Sequence, residues 1–155
     1  MILVLCLGNA IRRDDAVALR VADALAASPP KEAVVRRTAA AGLYLIDELA
    51  GFERAVVVDA VRTGQHPPGA VLSFDLEDLR APEGPSPHAI GLPSAIGRAR
   101  AAGLPVPARI HVVAVEVVDL ETVGEGLSPA VETAVEPAAE EVRRAIAALA
   151  GVAGK

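Results

Sequence analysis

The chain has 155 residues, 52% of them hydrophobic and 23% charged, with a net charge of −5, the make-up of an ordinary folded protein and not of a disordered one. Only three residues are aromatic, Tyr44, Phe52 and Phe74, so the basic face and stacking aromatics of a nucleic-acid binder are missing. A single cysteine excludes an intramolecular disulfide, no apolar run approaches the ~18–20 residues of a membrane span, and no leader pattern opens the chain, so one soluble cytoplasmic domain over 1–155 is expected.

Residues 2–7 form a Leu, Ile and Val run without alternation, the pattern of a strand buried on both faces. The run breaks at Gly8-Asn9, and an Ala-rich helix is predicted from Asp15 until Pro29-Pro30 stop it. Residues 33–37 read as a second strand, and a helix over about 42–50 closes at Gly51. A third strand, 55–59, is β-branched and ends at Asp59, and a Gly- and Pro-rich loop follows it. Residues 70–75 alternate, as an antiparallel edge strand does. The Pro-rich stretch 76–87 reads as a surface loop, and a third helix is expected over 90–102. Residues 109–116 form the last central strand. Ser128-Pro129 then starts a final helix, with Ser as side-chain cap, running to about Ala150 with a bend at Pro137. Alternating strands and helices argue for an α/β fold, with a mostly parallel sheet covered on both faces.

Carboxylates gather where such a sheet places its ligands, at the carboxyl ends of strands. Asp14-Asp15 lies where the first strand turns into a helix. It reads either as a helix cap with a dipole-complementing neighbour, or as one cap and one carboxylate facing a crevice. Asp59 follows Ala55-Val56-Val57-Val58 directly and reads either as an Asx-turn starter or as a carboxylate on the same rim. His88, in Ser86-Pro87-His88, is a ligand if its loop folds over that rim and a solvated residue if it does not. Two Asp and one His together suit a divalent transition metal. Glu116 ends a strand at the rim and reads as a solvated strand end, Cys6 as a core residue, and His66 and His111 are weaker candidates. Only one glycine stands in the first turn, so no dinucleotide fingerprint is present, and there is no phosphate loop or nucleophile elbow.

Four segments in order then line up with one family. Gly8-Asn9 with Asp14-Asp15, Val57-Val58-Asp59-Ala60 with Pro68-Gly69, Ser86-Pro87-His88 with Gly91-Leu92, and Gly126-Leu127-Ser128-Pro129 resemble the signatures of the hydrogenase maturation endopeptidases. The resemblance covers essentially the whole chain. It implies a three-layer α-β-α sandwich around a twisted five-stranded sheet, mostly parallel with one antiparallel edge strand. It also implies an aspartic-type endopeptidase that removes the C-terminal extension of a nickel-loaded [NiFe]-hydrogenase large-subunit precursor. By position, the family's metal-contacting and catalytic residues fall on Asp15, Asp59 and His88. Asp14 then reads as cap and support, and Arg12-Arg13 either as contacts to an acidic or C-terminal part of the substrate or as solvated loop arginines. The resemblance implies no tightly bound cofactor, since the nickel belongs to the substrate, and a monomer that binds neither nucleic acid nor membrane. Two departures stand out: Ala16 where the family often has Gly, and the stretch 37–42 in place of an Asp-Gly-Gly-Thr-like turn. The alternatives are a non-catalytic checkpoint that senses the nickel site, and a diverged small-molecule hydrolase on the same scaffold.

Overall fold

The computed structural model describes residues 1–78 and 92–153. Among these, five strands form one sheet: β1 (Ile2–Leu7), β2 (Ala33–Thr38), β3 (Arg54–Val61), β4 (Val71–Asp75) and β5 (Arg109–Glu116), in the spatial order β2-β1-β3-β5-β4. The β1–β2, β1–β3 and β3–β5 pairs are parallel, and the β4–β5 pair is antiparallel. The expected mixed sheet with an antiparallel edge strand is therefore present. All six residues of β1 are buried, because helices cover both faces of the sheet.

The two faces have separate cores. Ile2, Val4 and Cys6 of β1 point towards α1 (Val17–Ala27) and α5 (Val135–Ala153), meeting Val17, Val21 and Leu25 from the first and Val142, Ile146 and Leu149 from the second. Leu3, Leu5 and Leu7 point the other way, towards Leu45 and Leu49 of α2 (Leu45–Leu49) and Leu92 and Ile96 of α3 (Leu92–Ala101). Among the described residues, no helix is long and apolar enough to cross a membrane.

This layering creates the crevice. The connection from β1 through α1 to β2 runs over one face, and the connection from β2 through α2 to β3 runs over the other. The chain thus leaves β1 for β2 on one side and returns to β3 on the other, so the strand order reverses between β1 and β3. In open α/β sheets such a switch point holds the ligand site.

Several element boundaries differ from the sequence reading. The first helix does not begin at Asp15. A 3-10 turn, Arg13–Ala16, precedes it, and α1 proper starts at Val17. The second helix is likewise a 3-10 turn, Gly42–Tyr44, followed by the short α2, with Gly51 beyond its end at φ +89° as a C-terminal glycine. The final helix is not continuous up to Pro137. It is split earlier into α4 (Pro129–Glu132) and α5, and Pro137 sits in the first turn of α5, where a missing N–H costs no helical bond. Most of the Pro-rich stretch lies outside the described residues; its first three, Leu76–Asp78, form a 3-10 turn.

Candidate active site

Asp15 and Asp59 flank the switch point, and both are almost fully buried, at 3% and 1% exposure. Asp15 follows β1 in the 3-10 turn, which packs against β3. Its Oδ2 accepts the Asn9 N–H at 3.0 Å, and its own N–H donates to the Arg12 carbonyl at 2.8 Å. One bond holds a carboxylate oxygen and the other fixes the backbone that carries it. Asp59 is not the last residue of its strand. β3 continues to Val61, paired with β5, beyond the last β1 partner at Val58. Asp59 thus stands just past the end of the β1–β3 pairing, with its Oδ1 accepting the Ala60 N–H at 2.8 Å. That bond is local and Asx-like, but the setting is a strand edge bordering the crevice and not a surface turn. His88 lies outside the described residues.

Gly8 makes the approach of the first turn to β1 feasible. A Cβ there would lie 2.3 Å from the Asp15 carbonyl oxygen, a backbone atom that cannot swing away. Gly8→Ala is expected to lower stability by about 1–3 kcal/mol through overpacking and to displace Asp15. Urea denaturation followed by far-UV circular dichroism checks the first effect, and the processing assay below checks the second.

Asp14 does not cap a helix. Neither the 3-10 turn nor α1 has a side-chain cap bond, and the Asp14 carboxylate faces away, into the loop between β5 and α4. Its Oδ2 accepts the N–H groups of Val118 (3.1 Å) and Asp119 (3.0 Å) and the Ser128 hydroxyl (2.9 Å), and its Oδ1 accepts the Ser128 N–H (2.7 Å). Four donors converge on one buried charge, which offsets its desolvation. The Ser128 hydroxyl, expected to cap the last helix, is used here instead; Pro129 does occupy the first turn of α4.

The same loop is held twice more. Arg13 donates its N–H to the Gly124 carbonyl at 3.1 Å, and Gly124 returns one to Ile11 at 2.7 Å. Within the loop, hydrogen bonds from the Thr122 hydroxyl and from the Thr122 and Glu121 N–H groups hold the exposed Asp119 carboxyl down at about 2. Arg13 has φ +26°, a left-handed backbone for a residue with a side chain, and its buried Nε makes no hydrogen bond.

Glu116 is not a solvated strand end. It is 2% exposed and accepts the N–H groups of Thr63 (2.9 Å) and Gly64 (3.3 Å) and the Thr63 hydroxyl. It anchors the loop after β3 as Asp14 anchors the loop after β5. The sequence reading missed both tethers, since their donors lie 52–53 and 104–114 residues away in the chain.

With this geometry in place, the likeness to known proteins is specific. The profile of the family described as hydrogenase maturation protease matches residues 19–145. The chain is 30% identical over 149 residues to Hydrogenase 2 maturation protease of Escherichia coli (strain K12), covering 94% of this chain and 90% of that protein. The chain belongs to the hydrogenase maturation protease family. It is also 31% identical over 152 residues to Hydrogenase expression/formation protein HupD of Rhodobacter capsulatus, covering 95% of this chain and 71% of that one. Among solved structures, the hydrogenase maturating endopeptidase HybD from E. coli superposes with a TM-score of 0.76 at 29% identity, covering 94% and 91% of the two chains. The [NiFe] hydrogenase maturation protease HybD from Thermococcus kodakarensis gives 0.73 at 26%, covering 94% and 98%. The family and the fold expected from the four ordered segments are thus both found.

Two other groups in this maturation protease have structural roles. Cys6 is buried in the core, and that burial pushes its thiol up to about 12, far from a reactive thiolate. His111 bridges β4 and β5. Its Nδ1 is 2.9 Å from Asp75 Oδ1 and its Nε2 is 2.6 Å from Ser73 Oγ. This Ser–His–Asp arrangement therefore ties the two strands together. Asp75 ends an antiparallel strand, which places it towards the opposite end of the sheet from Asp15 and Asp59.

Proposed function

We propose that the protein is an endopeptidase that removes the C-terminal extension of a nickel-loaded [NiFe]-hydrogenase large-subunit precursor. The observation that carries this reading is the pair of buried carboxylates, Asp15 and Asp59, at the β1/β3 switch point of a chain in the hydrogenase maturation protease family. Oxygen ligands from two carboxylates and an imidazole nitrogen from His88 are a donor set suited to a divalent transition metal. The metal arrives in the substrate, and the protein needs no resident cofactor. Only the loaded precursor brings the cation that attracts these carboxylates, so loaded and unloaded precursors bind with different free energies.

Hydrolysis follows from the same placement. A carboxylate beside the scissile bond takes a proton from the attacking water, the water oxygen bonds to the carbonyl carbon, and the proton passes to the departing amine. The substrate's cation polarises the carbonyl. A proton-sharing pair of the ordinary aspartic-protease kind does not suit a site next to a divalent cation, which favours both carboxylates ionised.

The test is incubation of the purified protein with nickel-loaded and with metal-free precursor, followed by intact-mass measurement of the large subunit. Loss of a C-terminal fragment from the loaded form alone is expected. A stable complex with an unchanged mass overturns the peptidase reading in favour of a checkpoint. Uncut, unbound precursor alongside turnover of a small substrate indicates a diverged hydrolase.

A further inference from the structure

Among the described residues, seven large apolar side chains are exposed: Met1, Ile11, Leu43, Tyr44, Leu104, Val118 and Val123. Singly, such residues carry no information. Their distribution does. Ile11 follows β1, Leu43 and Tyr44 follow β2, and Val118 and Val123 follow β5, so five of the seven lie on loops at the carboxyl edge of the sheet, around Asp15 and Asp59. Met1 and Leu104 precede strands and lie towards the other end. The exposure at the carboxyl edge is pronounced: Tyr44, the chain's one tyrosine, is 77% exposed and Val123 is 73% exposed.

These side chains are not on slack loops. Ile11 and Val123 sit beside the reciprocal bonds between Gly124 and the Ile11–Arg13 segment, and the Val118 N–H is held by Asp14. Leu43 and Tyr44 stand in a hydrogen-bonded 3-10 turn, with the Tyr44 N–H donating to the Ala41 carbonyl. Apolar groups fixed in water are a preformed contact surface, because little side-chain or loop freedom is lost when a partner covers them. An exposed tyrosine is typical of such anchors.

We propose that Ile11, Leu43, Tyr44, Val118 and Val123 form the docking surface for the precursor segment on either side of the scissile bond, and that this segment bears apolar side chains. The proposal rests on the function given above. Continuity with the two carboxylates names the occupant: a chain laid across this collar passes over the crevice. A second copy is a poorer fit, since each copy carries a net charge of −5.

Tyr44→Glu and Val123→Glu, both at exposed positions away from the core, test this against Leu104→Glu at the other end. Processing kinetics with nickel-loaded precursor, and precursor binding by biolayer interferometry, are the readouts. For both carboxyl-edge variants KM and Kd are expected to rise about tenfold or more, with kcat within about twofold of wild type, while Leu104→Glu matches wild type. Unchanged KM and Kd in both carboxyl-edge variants, or an equal loss in Leu104→Glu, overturns the proposal. A wild-type dimer dissociated by Val123→Glu in sedimentation overturns it in favour of self-association. If the wild type binds without cutting, and Tyr44→Glu and Val123→Glu weaken that binding, the peptidase reading fails and the docking surface stands. If the wild type neither binds nor cuts, both fail.

Discussion

Asp14→Ala is expected to lower the unfolding free energy by about 3–5 kcal/mol, the range for breaking a buried charged network. The carboxylate is fully buried and accepts four hydrogen bonds, three of them from the backbone N–H groups of Val118, Asp119 and Ser128. A folded domain of this size is stable by only ~5–15 kcal/mol, so the loss is a large share of the total. Asp14→Asn is expected to recover part of it, since the amide oxygen still accepts while the amide NH2 faces other donors. Urea denaturation monitored by far-UV circular dichroism measures both, and a change below about 1 kcal/mol for Asp14→Ala contradicts the tether. Because the loop between β5 and α4 hangs on this residue, hydrogen exchange at residues 117–128 is expected to rise in the same variant.

The neighbouring residue is expected to behave in the opposite way. Asp15→Asn and Asp59→Asn remove a charge without changing shape, and the oxygen that accepts the Asn9 or Ala60 N–H remains available. Each is expected to slow precursor processing by about 10²–10⁴-fold, the range for losing a general base, with a melting temperature close to wild type. His88→Ala is expected to fall with them as the third ligand. Initial rates from the intact-mass assay, with melting curves of the same preparations, check this. Normal processing by His88→Ala removes the histidine from the site, and normal processing by Asp15→Asn or Asp59→Asn removes that carboxylate. One variant is destabilised and its neighbour is inactive, although the two residues are adjacent and chemically identical.

That contrast marks how far local pattern reaches. The buried run in β1, the β-branched β3, the antiparallel β4 and the bounds of β5 were legible because strand burial and alternation are written into adjacent residues. Element ends were less so. Asp59 looked like a strand terminus because Asp disfavours strands, yet pairing with β5 carries β3 two residues further. Propensity gives way to a neighbouring strand that supplies hydrogen bonds. The first turn tightened into a 3-10 segment because its carboxylate is recruited by a distant loop and not by the helix it precedes.

The sequence by itself determined the α/β layering and the family, and it nominated Asp15, Asp59 and His88, because periodicity and the order of short motifs are one-dimensional properties. Only the tertiary structure decided what Asp14 and Glu116 do. Their partners are brought within hydrogen-bonding distance by strand order and loop closure, which no local spacing encodes. The crevice beside Asp15 and Asp59 was decided in the same way. It exists because the crossovers from β1 to β2 and from β2 to β3 run over opposite faces of the sheet, and that choice is made by the packing of two separate cores.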